Sequence, residues 1–142
     1  MFKISIFGAG FVGAAAAQNL ALSQIANVVL IDIDGGVAAG KSLDLRQTGP
    51  VLNHSASLIG GSDYEATRDS HIVVITAGIA RKPGMSREDL LRINSTIVSS
   101  VAREAYKLSP NAIFIVVTNP LDVMTSLVQM ETGLPSNQVI GM

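Results

Sequence analysis

Lys3-Ile4-Ser5-Ile6-Phe7-Gly8-Ala9-Gly10-Phe11-Val12-Gly13 is the stretch on which the fold turns. A short β-branched and aromatic run enters G-x-G-x-x-G, and the alanine-rich residues 12–22 that follow read as a helix. The glycines therefore sit on a strand-to-helix turn, the context in which this motif accepts a dinucleotide. Gly8 allows the tight turn, Gly10 lets the backbone approach a pyrophosphate, and Gly13 lets helix and strand pack closely. The helix N-terminus then supplies free N–H groups and a dipole favourable to phosphate. A glycine turn of purely structural use is the alternative, and a second signal argues against it. Asp32 closes the next apolar run at the offset where an acid reads the ribose hydroxyls, and its carboxylate would repel a 2′-phosphate. NAD is thus favoured over NADP. Asp34 is a rival on the same face if the strand continues, but Gly35-Gly36 reads as a turn and assigns Asp34 to a loop.

Outward from this unit, apolar runs alternate with helical patterns, the rhythm of a parallel sheet covered on both faces. Strands are expected at residues 3–7, 28–32, 56–59, 72–76, 113–117 and 138–140. This predicts an α/β Rossmann domain with a doubly wound parallel sheet of about six strands in the order 3-2-1-4-5-6. Leu90, Ile97, Val101, Ala105 and Leu108 recur at helical spacing, so residues 87–108 should form one long helix. Ser86 and Asp89 make a capping-box start for it, and Pro110-Asn111 stops it. A single domain over 1–142 is expected, ending at a domain edge at Met142.

Composition narrows the class. There is no cysteine for disulfides or thiolate metal sites, and no apolar run long enough for a membrane span. A net charge of −1 gives no electrostatic footprint for nucleic acid or an acidic membrane. A soluble cytoplasmic protein fits these features. Charged residues make up only 15%, against about 25% in an ordinary globular domain, so part of the surface is expected to face a partner.

Ligands of such sheets lie beyond the carboxyl ends of the strands. After the fourth strand, Thr76-Ala77-Gly78-Ile79-Ala80-Arg81-Lys82-Pro83-Gly84-Met85-Ser86-Arg87 places one arginine on a loop and another in the first turn of the long helix. A rigidly mounted cation suits polarising a substrate oxygen, and a mobile one suits clamping a carboxylate. Two exposed surface arginines would be the plain reading. After the fifth strand, Thr118-Asn119-Pro120-Leu121-Asp122 offers an amide donor and acceptor at Asn119, with Pro120 a possible cis site and Asp122 a possible helix cap.

GAGFVG, the run holding Asp32, GKSLDL at 40–45, TAG-x-x-RKPGMSR-x-DLL-x-x-N ending at Asn94, and TNPLD at 118–122 together resemble the N-terminal NAD-binding half of the lactate and malate dehydrogenases. The resemblance implies that residues 8–13 and Asp32 hold NAD. It also implies that Asn94, Val117, Thr118 and Asn119 line the cofactor, with Asn119 touching substrate too. Arg87 would polarise the substrate carbonyl and Arg81 would discriminate between substrates. Lactate-specific members typically have Gln where Arg81 stands, while malate-specific members have Arg, which pairs with the second carboxylate of oxaloacetate. The chain thus resembles the malate-specific members of the branch closest to the lactate enzymes.

The family's proton-donating His–Asp pair and a further arginine belong to its C-terminal half and have no counterpart here. His54 and His71 precede strands three and four, at the opposite edge of the sheet. Two readings follow: the cofactor half of a malate dehydrogenase, catalytically incomplete alone, or a stand-alone module that binds a dinucleotide without turnover. A lactate dehydrogenase half is a further alternative. The expected partners are malate or oxaloacetate, the C-terminal half, and further copies of the chain.

Overall fold

The computed structural model describes residues 2–142. Six parallel strands form one sheet: β1 (Phe2–Phe7), β2 (Ala26–Ile31), β3 (Leu58–Gly61), β4 (Ile72–Ile75), β5 (Ile113–Val116) and β6 (Val139–Gly141). Their order is β3-β2-β1-β4-β5-β6, so the chain winds one way from β1 to β3 and then returns to run the other way from β4. That reversal lies between β1 and β4, the point at which doubly wound sheets open a ligand crevice.

Each face of the sheet has its own helical cover. On one side α1 (Phe11–Ser23) and α2 (Gly35–Gln47) bring Ala17, Ala21 and Ala38 against Ile4, Ile6, Val28, Leu30 and Leu58. Small side chains on the helices let their backbones lie close to the bulky strand residues. On the other side α4 (Arg87–Leu108) and α5 (Leu121–Thr132) pack Val98, Ala102, Ala105, Met124 and Val128 against Phe7, Val73, Ile75, Phe114 and Val116. Ser5 of β1 is fully buried and shares a 2.6 Å hydrogen bond with the Ser70 hydroxyl, which offsets the cost of burying it. A four-residue helix, α3 (Gly49–Leu52), continues α2. No helix among the described residues is long and apolar enough to cross a membrane.

Three local expectations change. Strand β3 lies two residues further along than expected, pairing Val28 with Leu58 through Ile31 with Gly61. The strand runs through Gly60-Gly61 because α2 presses on it: a Cβ at Gly60 would stand 2.1 Å from the Ala38 carbonyl oxygen. Gly35-Gly36 is not a turn but the first turn of α2, started by Asp34, whose carboxylate accepts a 3.1 Å hydrogen bond from the Val37 N–H. Helix α4 has the expected bounds and capping box, with Ser86 and Asp89 each bonding the other's backbone N–H. Its buried face, however, is Asn94, Val98, Val101, Ala102, Ala105 and Leu108, while Leu90 and Ile97 are only half-buried.

Candidate functional site

All the loops that leave the carboxyl ends of β1, β2, β4 and β5 meet at one edge. The first, Gly8 to Gly10, is held by its own sterics. Gly8 has φ +109°, a backbone conformation that L side chains rarely adopt, and its N–H donates to the Ile31 carbonyl at 2.7 Å. A Cβ on Gly13 would lie 1.9 Å from the Gly8 carbonyl oxygen, so α1 packs onto the loop at a distance only glycine permits. Gly10, by contrast, has nothing within 4 Å of a Cβ position and faces open space. It is the N-cap of α1, no side chain caps that helix, and no acidic residue lies in its first turn. The exposed N–H groups of the first turn are therefore left to an outside acceptor.

Asp32, one residue past β2, points its carboxylate at this loop: one oxygen accepts the Ala9 N–H at 2.6 Å, the other the Asp34 N–H at 3.0 Å. Each oxygen keeps a further lone pair, enough to receive ribose hydroxyls. Beside it lies a cavity of about 550 Å³, walled by Asp32, Ile33, Tyr64, Ile97 and Ser100. Tyr64 packs edge-on to Phe7, with ring centroids 5.1 Å apart. Burial pushes the Tyr64 phenol above its ordinary range, and the carboxylates of Glu104 and Asp32 push it the same way. Ile97, read from the sequence as core, is half-buried: it packs against the core and also walls this cavity.

A second cavity of about 430 Å³ shares Thr76, Gly78 and Ile79 with the first and is lined further by Val12, Arg81, Leu90, Asn94, Val117 and Asn119. Threonines stitch its frame. The Thr76 hydroxyl bonds the Phe7 and Gly8 carbonyls at 3.1 and 3.0 Å, and that of Thr118 bonds the Ala77 carbonyl at 2.7 Å. Asn94, only 1% exposed, spends its whole amide on the same frame. Its Oδ1 accepts the Ile79 N–H at 2.9 Å, and its Nδ2 donates to the Asn119 carbonyl at 2.7 Å and the Ile79 carbonyl at 3.3 Å. Asn94 thus lines the cavity but uses its polar atoms to tie the β4 and β5 loops together. The Asn119 side chain is exposed, and the Asn119–Pro120 peptide is cis. Asp122 lies in the first turn of α5, whose N-cap is Pro120.

The two arginines stand apart, and of the two only Arg81 lines a cavity described above. Arg81 is on the loop, lines the smaller cavity and donates from Nε to the Met85 carbonyl at 3.0 Å. Arg87 is the first residue of α4, exposed, with no polar side-chain partner among the described residues, and it lines neither cavity. His71 accepts the Lys3 N–H on Nδ1 at 3.1 Å, and His54 pairs with the Thr48 hydroxyl at 3.0 Å. Both stand at the amino edge, away from these two cavities; His54 lines a separate one of about 590 Å³ with Gln24, Arg46 and Asn53.

One residue escaped the sequence reading. Lys41, the lysine of GKSLDL, extends from α2 to the glycine loop and donates to the Ala9 carbonyl at 2.5 Å. Its ammonium also lies 5.8 Å from the centroid of the Phe11 ring, which is 95% exposed. A lysine on an exposed helix carries no periodic or motif signal, so only the tertiary fold reveals it.

An uncapped helix N-terminus, an open Gly10, an ammonium beside the loop and a carboxylate facing the ribose position form a donor and acceptor set that fits NAD. These features define a Rossmann dinucleotide-binding domain. The family model described as lactate/malate dehydrogenase, NAD binding domain, matches residues 2–141, and the chain belongs to that family. It is 53% identical over 141 residues to the malate dehydrogenase of Bacillus israeli, covering 98% of this chain and 45% of the relative. The Synechocystis malate dehydrogenase is likewise 53% identical over 141 residues, with 99% and 44% covered. The malate dehydrogenase of Archaeoglobus fulgidus, solved in complex with NADH, superposes with a TM-score of 0.95 at 38% identity over 99% of this chain and 48% of that one. The Cryptosporidium parvum lactate dehydrogenase complexed with lactic acid and NAD gives 0.91 at 40% identity, over 97% and 44%. The chain spans about 45% of the length of the curated relatives it matches.

Proposed function

We propose that this chain is the cofactor-binding half of an NAD-dependent malate dehydrogenase, with residues 1–142 as a single Rossmann domain and the rest of the enzyme in a second half. The observation that supports the reading is the smaller cavity, which is lined by Arg81 and Asn119 and shares Thr76, Gly78 and Ile79 with the cavity beside the glycine loop. Backbone N–H groups at Gly10, Phe11 and Val12 receive the diphosphate, and Asp32 takes the adenosine ribose hydroxyls. Asn94, Val117, Thr118 and Asn119 border the nicotinamide end. Bound NAD supplies the hydride acceptor when malate is oxidised and, as NADH, the donor when oxaloacetate is reduced.

Around the reacting carbon the chain contributes charge and position. Arg87, on the rigid start of α4, polarises the substrate carbonyl; Arg81, on the loop, pairs with the carboxylate that oxaloacetate has and pyruvate lacks. Asn119 orients the substrate through its free amide. Neither histidine borders the two cavities at the carboxyl edge, so the proton donor comes from the second half. Exposed apolar side chains such as Val51 and Met130, together with the low charge content, support contact with that half and with further copies of the chain. The cysteine-free composition suits the cytoplasm.

Two measurements test the reading. Calorimetry with the full chain should detect NAD binding, and a chain that stays unbound at millimolar NAD overturns it. In the longer protein, NADH oxidation should be driven by oxaloacetate far better than by pyruvate. Turnover by the 142-residue chain alone would overturn the division of labour between the two halves.

A further inference from the structure

We propose that Lys41 is a positioning residue for the dinucleotide diphosphate, acting through the Ala9 carbonyl and through the charge it holds beside the glycine loop; this rests on the NAD-binding reading above. Ala9 is buried and gripped from both sides by opposite charges: the Asp32 carboxylate takes its N–H at 2.6 Å and the Lys41 ammonium its carbonyl at 2.5 Å. The consequence follows from peptide geometry. In a trans peptide the C=O of one residue and the N–H of the next point in opposite directions, and the only cis bond among the described residues is Asn119–Pro120. Drawing the Ala9 oxygen toward α2 therefore turns the Gly10 N–H away from α2. The preceding peptide behaves in the same way: with the Ala9 N–H held by Asp32, the Gly8 carbonyl points the other way, where it accepts the Thr76 hydroxyl at 3.0 Å. Asp32 and Lys41 together set two successive peptide planes, and the second presents a donor at the glycine whose surroundings are open.

Charge adds to geometry. Among the described residues no carboxylate lies within ion-pair distance of Lys41. Its ammonium has three donors, of which the Ala9 carbonyl takes one, and the Phe11 ring covers another side at 5.8 Å. A partly buried cation with an unused donor, next to an uncapped helix N-terminus, is placed to favour an acceptor carrying two negative charges.

The test uses the full chain as wild type, Lys41→Met and Lys41→Arg, titrated calorimetrically with NAD and with adenosine, which lacks the diphosphate, at low and high salt. Lys41→Met should weaken NAD about tenfold, the loss of one charge-assisted interaction. It should also flatten the salt dependence of the NAD Kd and leave adenosine within about twofold of wild type, whereas Lys41→Arg should bind NAD within about threefold of wild type. An NAD affinity unchanged in Lys41→Met overturns the assignment. So does an equal loss for adenosine with a lowered Tm, which marks a merely structural lysine, or an arginine variant as weak as the methionine one. A wild-type chain that takes up neither ligand overturns the nucleotide reading itself, and the Lys41 assignment with it.

Discussion

Adding one methyl group to the glycine loop at two positions should give opposite results. At Gly13 the new Cβ would lie 1.9 Å from the Gly8 carbonyl oxygen and 2.9 Å from the Thr76 hydroxyl oxygen. Relieving a backbone contact that short means moving α1 by more than an ångström against the sheet, so Gly13→Ala belongs at the upper end of overpacking costs, about 3 kcal/mol. For a domain of this size that lowers Tm by about 10 °C. Gly10 has φ −67° and ψ −167°, backbone angles open to alanine, and nothing within 4 Å of its Cβ position. The unfolded-state gain from Gly→Ala and the poorer N-cap nearly offset one another, leaving stability within about 1 kcal/mol of wild type. The same methyl, however, stands in the approach to the first-turn N–H groups. Losing one or two hydrogen bonds to a charged phosphate, at about 1.5–3 kcal/mol each, weakens NAD at least about tenfold. Thermal melts by circular dichroism and NAD titration of both variants separate the two effects. A Gly10→Ala chain that melts normally and binds NAD like wild type would refute the placement of the diphosphate, and a Gly13→Ala chain with unaltered Tm would refute the close packing of α1.

Asn94→Ala should destabilise the chain by about 3 kcal/mol, because it strands the Ile79 N–H and the Asn119 carbonyl in a partly buried frame; unchanged denaturant midpoints would show that those bonds do not hold the loops. In the longer enzyme, Arg81→Gln should shift the oxaloacetate-to-pyruvate preference toward pyruvate by about 2 to 5 kcal/mol in kcat/KM, whereas Arg87→Gln should lower turnover on both; similar profiles for the two variants would undo the roles assigned. The Tyr64 phenol titrates above its ordinary value, through burial first and then the Glu104 and Asp32 charges. Because the folded pKa exceeds the unfolded one of about 10, its contribution is complete below that pH and is lost as pH rises through the folded value. Tyr64→Phe should therefore flatten the alkaline limb of the stability profile, and an identical limb in the variant would contradict this.

Wherever one local rule acted alone, the sequence was legible. The β1 run, the G-x-G-x-x-G turn and the alternation of elements lead to the six-strand order that is observed, and Ser86 with Asp89 marks the start of α4. Wherever two rules compete, tertiary contact decides. Gly60 and Gly61 carry a turn signal by composition yet extend β3, since α2 lies too close for any side chain at Gly60. Gly35-Gly36 also reads as a turn and is helical, because the Asp34 cap supplies the missing nucleus. Ile97 and Leu90 match the periodicity of a buried face, but the helix turns Asn94 and Val98 inward and leaves those two at the cavities. Hydrophobic periodicity cannot tell a core wall from a cavity wall, because both are apolar and both are shielded from water.

The same competition explains which polar groups remain for a ligand. Asn94, Thr76 and Thr118 sit where a cofactor could reach them, yet their side chains are engaged with backbone carbonyls and N–H groups of the loops around them. If these residues bound the ligand directly, the loops would lose their tethers each time it arrived, and the ordering entropy would be lost on binding. With the tethers permanent, the frame is already ordered, and under the proposed function recognition would fall to groups with unused capacity: the first-turn N–H groups of α1, the second lone pairs of Asp32, the Asn119 amide, the spare donors of Lys41, and Arg87. Arg81 is intermediate, since Nε is held by the Met85 carbonyl while its terminal nitrogens remain free to form the bidentate pair a carboxylate prefers. Under the proposed function, the loop arginine would meet substrate from a partly fixed position, which would restrict the search it must make and sharpen its preference for an anion over a methyl group.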